Sequence, residues 1–291
     1  MPSLIDIRRR IRSVKNTQQI TKAMKMVSAA KLRRAQDRVI SSRPYGSSLR
    51  EMLKNIAAAA RSANSEETLH PLLEVRPEQR ILIVVLTSDR GLAGAFSTNV
   101  LKQVQQFIAD KLAENPQTEF LLETIGRKGR DFFARRSARI SGEAIGILEK
   151  VKYADAARIA KPIIEKYAND EIDAVYVIGN EFKSVVSQQL TTTRILPIVE
   201  ETEEPSRDYI IDGDPVEMLK RLLPLYIENI ILRMMLESVA AEHAARMTSM
   251  DAATSNAAEV IDKLTLNMNR VRQASITREI IEVVSGAQAA E

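Results

Sequence analysis

The 291-residue chain contains no cysteine and no tryptophan, only two histidines, and aromatic residues at just 4%. Without cysteine there is no disulfide scaffold, no iron–sulfur ligation and no thiol nucleophile, and the composition fits a reducing compartment. Long apolar runs are missing as well. The longest run of large apolar residues, Ile81–Leu86, has six members, whereas a helix that crosses a bilayer needs about 20. No Arg-rich or apolar leader opens the chain, so none is expected. His70 precedes Pro71, and His243 stands beside Glu242, far along the chain. They form no HxxxH or HExxH pair, so neither a zinc site nor a Ser/His/Asp triad is expected. The sequence therefore predicts no catalytic residue, no metal site and no cofactor. The hydrophobic content, 45%, excludes a disordered chain.

What is present is unevenly distributed. The net charge is +4, but residues 1–38 hold eleven Lys/Arg and two acids, a net +9, so the remainder sums to −5. Eight of ten Gly lie in 91–213 and ten of twelve aromatics in 96–209, while the Met residues lie only in 1–52 and 218–268. The ends and the middle follow different rules.

The ends read as long helices. Leu4, Ile7, Ile11 and Val14 mark one face at a spacing of three or four, and Leu32, Ala35 and Val39 resume it. Between them the same positions carry Gln18, Thr21, Lys25 and Ser28, while Ile20, Met24 and Val27 lie on a rotated face. This shift predicts different neighbours at different heights. At the other end, Met247, Met250, Thr254, Ala257, Ile261, Leu264, Met268 and Val271 alternate spacings of three and four, a sustained heptad seam. Pro224 is expected only to bend the first turns. About 70 residues of C-terminal helix would span roughly 100 Å and the N-terminal helix roughly 80 Å. The simplest arrangement is an antiparallel coiled coil with the middle inserted. The expected partition is an N-terminal helix over 1–60, a linker over 61–79, an α/β domain over 80–200, a linker over 201–215, a C-terminal helix over 216–286 and a tail over 287–291.

In the middle, Ile81–Thr87 and Ala174–Gly179 read as strands buried on both faces, with further strands at Glu119–Ile125 and, as an edge, Ser184–Ile198. Helices are expected at Asn99–Leu112, Lys128–Arg136 and Ala154–Tyr167. The alternation predicts a partly parallel α/β sheet. The turn Ser88-Asp89-Arg90-Gly91-Leu92-Ala93-Gly94-Ala95-Phe96 follows the first strand, where an α/β fold cradles a phosphate. It has neither G-x-G-x-x-G nor G-x-x-x-x-G-K-[ST], so a tight packing turn is the better reading. That counts against a nucleotide-dependent α/β enzyme. The basic N-terminal helix suits nucleic acid or an acidic protein partner, but no aromatic in 1–38 offers a stacking platform. From Val283 to Ala290 the C-terminal tip carries no charge. Such a tip is an exposed apolar patch unless something surrounds it.

Three stretches taken together resemble the gamma subunit of the F-type ATP synthase. They are Lys15–Val27, continued by Ala29-Ala30-Lys31-Leu32-Arg33; the turn Ser88–Phe96; and Arg272–Glu279, continued through Gly286-Ala287. The middle stretch departs from the family's frequent Cys and Asn with Ala93 and Ser97. The resemblance covers nearly the whole chain. It implies a Rossmann-like α/β foot inserted into a long antiparallel coiled coil. It also implies a non-catalytic rotor shaft that couples rotation of an ion-driven membrane ring to ATP synthesis or hydrolysis. The implied partners are the alpha and beta subunits in an alpha3beta3 ring, the epsilon subunit and the c-ring, with no nucleic acid. The implied place is the cytoplasmic face of a bacterial inner membrane, or the mitochondrial matrix face for a processed organellar form. By the same resemblance Met24, Arg272 and Gln273 are contacts to beta, and Tyr209 and Asp212 face the rotor ring or epsilon.

Overall fold

The computed structural model describes residues 4–63, 70–184, 187–198 and 213–288, and the side chains of 62, 63, 282 and 286–288 are not among those described. The chain forms two compact units, residues 1–29 with 246–291 and residues 30–245.

The element order is α1 (Leu4–Ala63), β1 (Arg80–Leu86), α2 (Phe96–Glu114), β2 (Glu119–Ile125), α3 (Arg127–Ala134), β3 (Ile140–Ala144), α4 (Tyr153–Ala168), β4 (Ala174–Phe182), β5 (Gln188–Leu196) and α5 (Pro215–Gln288). Helix α1 continues through Pro44 and α5 through Pro224.

In the unit of 30–245 the five strands lie in the order β3-β2-β1-β4-β5. The first four are parallel, and β5 runs antiparallel on the outer edge of β4. Strand β1 is central because all its apolar side chains can be buried. Ile81, Ile83 and Val85 meet Val100, Leu101 and Val104 of α2 on one face, while Leu82 faces Ile159 and Ile163 of α4 on the other. The edge strand β3 is absent from the sequence reading. It carries Ser141 and Gly142 in place of an apolar alternation, and a register shift interrupts its pairing with β2. Gly142 stands opposite Glu123, and a Cβ there would lie 2.3 Å from the Glu123 carboxylate, so a larger residue would have to displace the end of that flexible side chain.

Arg80 and Asp173 fasten the first turn of β1 to that of β4. Asp173 accepts from the Arg80 backbone N–H (2.7 Å) and from its guanidinium (2.6 and 3.1 Å). Burial pushes the Asp173 carboxyl up, but these donors outweigh it and hold the group below the usual aspartate range. A depressed carboxyl stabilises the fold above the unfolded-state value, about 3.9, and loses that contribution as pH falls through the lower native value. Asp173→Asn is therefore expected to cost about 2 kcal/mol at pH 7, the worth of hydrogen bonds to a charged group. The difference from wild type should fade below about pH 4. Urea midpoints of the two chains across that range check it, and a gap that persists unchanged at low pH would exclude the ion pair as its source.

The same unit also pairs the two long helices. Buried residues of α1 recur at Val39, Leu49, Leu53, Ile56 and Ala60, and α5 answers with Leu219, Leu223, Ile227, Ile231 and Met235. A Cβ at Gly46 would stand 3.0 Å from the Asn229 side-chain oxygen, so that side chain of α5 lies close against the backbone of α1.

In the unit of 1–29 with 246–291, α1 and α5 are again antiparallel. Thr21 and Thr254 bring their hydroxyl oxygens within 2.7 Å, and four residues further along α1 Lys25 reaches Asp251, three residues back along α5, at 2.5 Å. The heptad positions Met247 to Val271 are all buried or half-buried. On α1 the expected rotation of the stripe does not occur. The seam keeps its first register, and Thr21 and Ser28, 8% and 3% exposed, occupy it although polar. Both are small, and the Thr21 hydroxyl has two acceptors in reach, the Gln18 carbonyl at 3.0 Å and the Thr254 hydroxyl at 2.7 Å, while Thr254 lies 2.7 Å from the Met250 carbonyl, so one threonine donates to its own helix and the other across the seam. The apolar Ile20, Met26 and Val27 point outward instead.

Candidate contact surfaces and the turn after the first strand

The turn after β1 is built as a structural joint. Thr87 receives the Gly129 N–H on its hydroxyl at 2.8 Å. The Ser88 hydroxyl and N–H both meet the Ser97 hydroxyl, at 2.8 and 3.2 Å. Asp89 accepts from the Arg127 N–H at the start of α3 (2.9 Å) and from the Gly146 N–H (3.0 Å), tying three loops at one end of the sheet. Its negative charge occupies the place where a cradle would need to attract a phosphate. Leu92 and Gly94 take positive φ angles, 67° and 56°. This lets Ala93 and Phe96 turn down against Ala241 of α5, with Phe182 and Ala245 packed beside them. The turn motif is thus occupied by packing, as the sequence favoured.

His70 caps a short 3-10 turn, its Nδ1 accepting from the Leu72 N–H at 3.2 Å; burial, then the charge of Lys220, lowers its pKa. Among the described residues no group of three His, Cys, Asp or Glu stands ready to hold a metal ion. Among them, too, no helix is long and apolar enough to cross a membrane.

The candidate partner residues lie on the long helices. Met24 is half-buried on α1, adjoining the Lys25–Asp251 pair; Arg272 and Gln273 are exposed on α5. Arg272 is 21 residues beyond Asp251, about 30 Å along the helix axis at about 1.5 Å per residue. The structure therefore does not bring Met24 and the Arg272–Gln273 pair together; they mark two heights on one unit. Tyr209 and Asp212 lie outside the described residues.

Two further features of the same unit bear on contacts. Arg8, Arg9, Arg10, Arg12, Lys15 and Lys22 are exposed along α1. At the far end of α5, Ile276, Ile280, Ile281, Val283 and Val284 are 47–72% exposed. Five large apolar side chains within nine residues of a solvent-facing helix form a patch that a partner's apolar surface would cover. Gly126 and Asp89 as loop anchors escaped the sequence reading. Their constraint comes from residues 38 or more positions away, to which no local pattern points.

A Rossmann-type sheet packed against two long antiparallel helices, with its first turn spent on packing, defines an α/β domain inserted between two long helices. The comparisons agree with this class and narrow it. A family model described as ATP synthase matches residues 3–290. The ATP synthase gamma chain of Solibacter usitatus is 63% identical over 292 residues, and that of Pelotomaculum thermopropionicum 47% over 294, each alignment covering all of both chains. The chain belongs to the ATP synthase gamma chain family. Among solved structures, the central stalk and c-ring structure of the Tetrahymena thermophila mitochondrial ATP synthase aligns at 24% identity and a TM-score of 0.61. That match covers 80% of this chain and 99% of the other. The rotor of the Euglena gracilis enzyme aligns at 17% and 0.64, covering 94% and 98%. At these identities the two establish the shared fold.

Proposed function

We propose that this chain is the central rotor shaft of an F-type ATP synthase, coupling rotation of an ion-driven membrane ring to ATP synthesis or hydrolysis at the beta subunits of an alpha3beta3 ring. The observation that carries this reading is full-length identity of 63% to a gamma chain. The helices themselves add a physical reason. In the unit of 1–29 with 246–291, polar Thr21 and Ser28 fill the seam while Ile20, Met26 and Val27 face outward. A helix pair that only had to hold together would bury its apolar residues in the seam. One that must bias three chemically identical partners needs distinct outward faces, because a ligand shifts an equilibrium only by its differential contacts.

On this reading the chain is itself non-catalytic. Met24, Arg272 and Gln273 touch beta at successive heights. The exposed basic face of α1 orients against acidic loops, where charge steers more than it binds. The apolar tip of α5 sits in an apolar sleeve. The α/β domain is the foot, with Tyr209 and Asp212 toward the rotor ring or epsilon. The complex works as a peripheral assembly on the cytoplasmic face of a bacterial inner membrane.

Reconstitution with alpha and beta subunits tests this. A stoichiometric complex whose ATP hydrolysis requires the chain is the expected result. Failure to associate, together with tight and steeply salt-dependent DNA binding, would overturn it.

A further inference from the structure

We propose that Arg38 and Tyr153 form a latch that carries torque between the α/β domain and the two long helices. This inference rests on the rotor reading above and assigns the residues that make the domain turn with the helices.

All the contacts lie in the unit of 30–245. A 3-10 turn, Ile147–Lys150, leads through Val151 and Lys152 into α4 at Tyr153. The Arg38 guanidinium, on α1, donates to the Val151 carbonyl. Two residues later, the Tyr153 hydroxyl donates to the Glu228 carboxylate on α5. One short segment of the domain thus grips both helices. Burial, then the hydrogen bond to Glu228 and its charge, pushes the Tyr153 phenol up to about 12, so it stays protonated and remains a donor at any physiological pH.

The domain touches α5 at a second place, where Ala93 and Phe96 of the turn after β1 pack on Ala241. Glu228 and Ala241 are 13 residues apart, about 20 Å along the helix. The two places are joined within the domain, since Asp89 accepts from Gly146 and Arg90 pairs with Glu149 at 3.1 Å.

The two attachments differ in kind. An apolar patch built from alanines and a phenylalanine is non-directional, and it resists separation far more than sliding or rotation. Hydrogen bonds are directional and weaken steeply with angle. Of the two, the latch is the directional one, and it resists rotation of the domain about the helix axis, which is the coordinate along which torque acts. Arg38 is exposed like the other cations of α1, but its guanidinium donates within the fold.

The test uses the complete complex assembled in vesicles with wild-type chain, Tyr153→Phe, Arg38→Met and the double variant. ATP hydrolysis without a gradient is expected to stay near wild type, and the melting temperature of the chain to fall by only about 2–4 °C per kcal/mol of lost hydrogen bonding. Protons pumped per ATP should fall as the opposing gradient rises, by roughly tenfold at the highest gradient for either single variant, the factor that one charge-assisted hydrogen bond is worth, and by more for the double variant, which loses two. Arg38→Lys, which keeps a donor, should recover part of the pumping. A purely structural role would not produce this dependence on load. Equal pumping by the double variant and wild type at every gradient overturns the latch alone. Parallel loss of hydrolysis and assembly also overturns it, by making the contacts structural. A wild-type complex that does not pump overturns the latch and the rotor reading together.

Discussion

Replacing Gly126 with alanine is expected to destabilise the α/β domain by about 4 kcal/mol, the combined cost of a strained positive φ and of overpacking. Gly126 follows β2 and holds φ at +102°, a conformation that side-chain-bearing residues rarely adopt. A Cβ built there would lie 2.1 Å from the Thr87 carbonyl oxygen, 2.7 Å from its carbon and 2.9 Å from its hydroxyl. Two of those atoms are backbone, so no side-chain rotation relieves the clash. Thr87 cannot retreat cheaply, because its N–H donates to the Ile125 carbonyl at 2.9 Å and its hydroxyl holds the Gly129 N–H. Moving it would pull the ends of β1 and β2 apart and unseat the start of α3. Urea denaturation of the purified chain, followed by tyrosine fluorescence, measures the effect. Gly91→Ala is the matching control: nothing lies within 4 Å of the added Cβ and its φ is not in the left-handed region, so it should change the midpoint little. A Gly126→Ala chain as stable as the Gly91→Ala chain would show that the loop relaxes freely.

This contrast explains what was legible in the sequence. Gly91 and Gly94 draw attention because they sit together in a motif-like turn, yet Gly91 has open space around it and Gly126, in an unremarkable Ile-Gly-Arg, carries the steric constraint. Periodicity made α5 readable: its seam from Met247 to Val271 repeats without interruption, and those residues are the more buried ones. The run Ile81–Leu86 announced the central strand because a strand covered on both faces needs no polar alternation. Strand β3 was hidden because Ser141, Gly142 and Glu143 break any apolar alternation along it. On α1 the pattern itself misled. Apolar residues normally mark the seam, but Thr21 and Ser28 took those positions and left Ile20 and Val27 outside. Met24, Arg272 and Gln273, the proposed contacts, were reachable only through family resemblance, since a helix surface residue carries no local sign of a partner. Arg38 and Tyr153 were not reachable at all, because their partners lie 113 and 75 residues away.

Inserting two residues after Ala257 is expected to abolish ATP synthesis by a reconstituted complex, and the cause is phase more than flexibility. Each residue advances an α-helix by about 100°, so two residues turn everything beyond by roughly 200°. Ile261, Leu264, Met268 and Val271, all half-buried against α1, leave the seam, and outward residues take their places. Losing the partial burial of four apolar side chains costs about 4 kcal/mol, counting about 1 kcal/mol each. The helix-propensity penalty of two glycines is smaller, about 1 kcal/mol apiece. Gly-Gly and Ala-Ala insertions separate the two causes, since they shift the phase equally and differ only in propensity. Both should eliminate synthesis. A seven-residue insertion of helix-forming sequence at the same place returns the seam to register and adds only about 10 Å of helix, so it should retain measurable synthesis. The absence of native cysteine supplies an internal control. Cysteines replacing Thr21 and Thr254, whose hydroxyl oxygens are 2.7 Å apart, should cross-link in every variant because they lie before the insertion. Synthesis that survives Ala-Ala but not Gly-Gly would make stiffness the controlling property. Synthesis that survives both would mean that the seam beyond Ala257 transmits nothing.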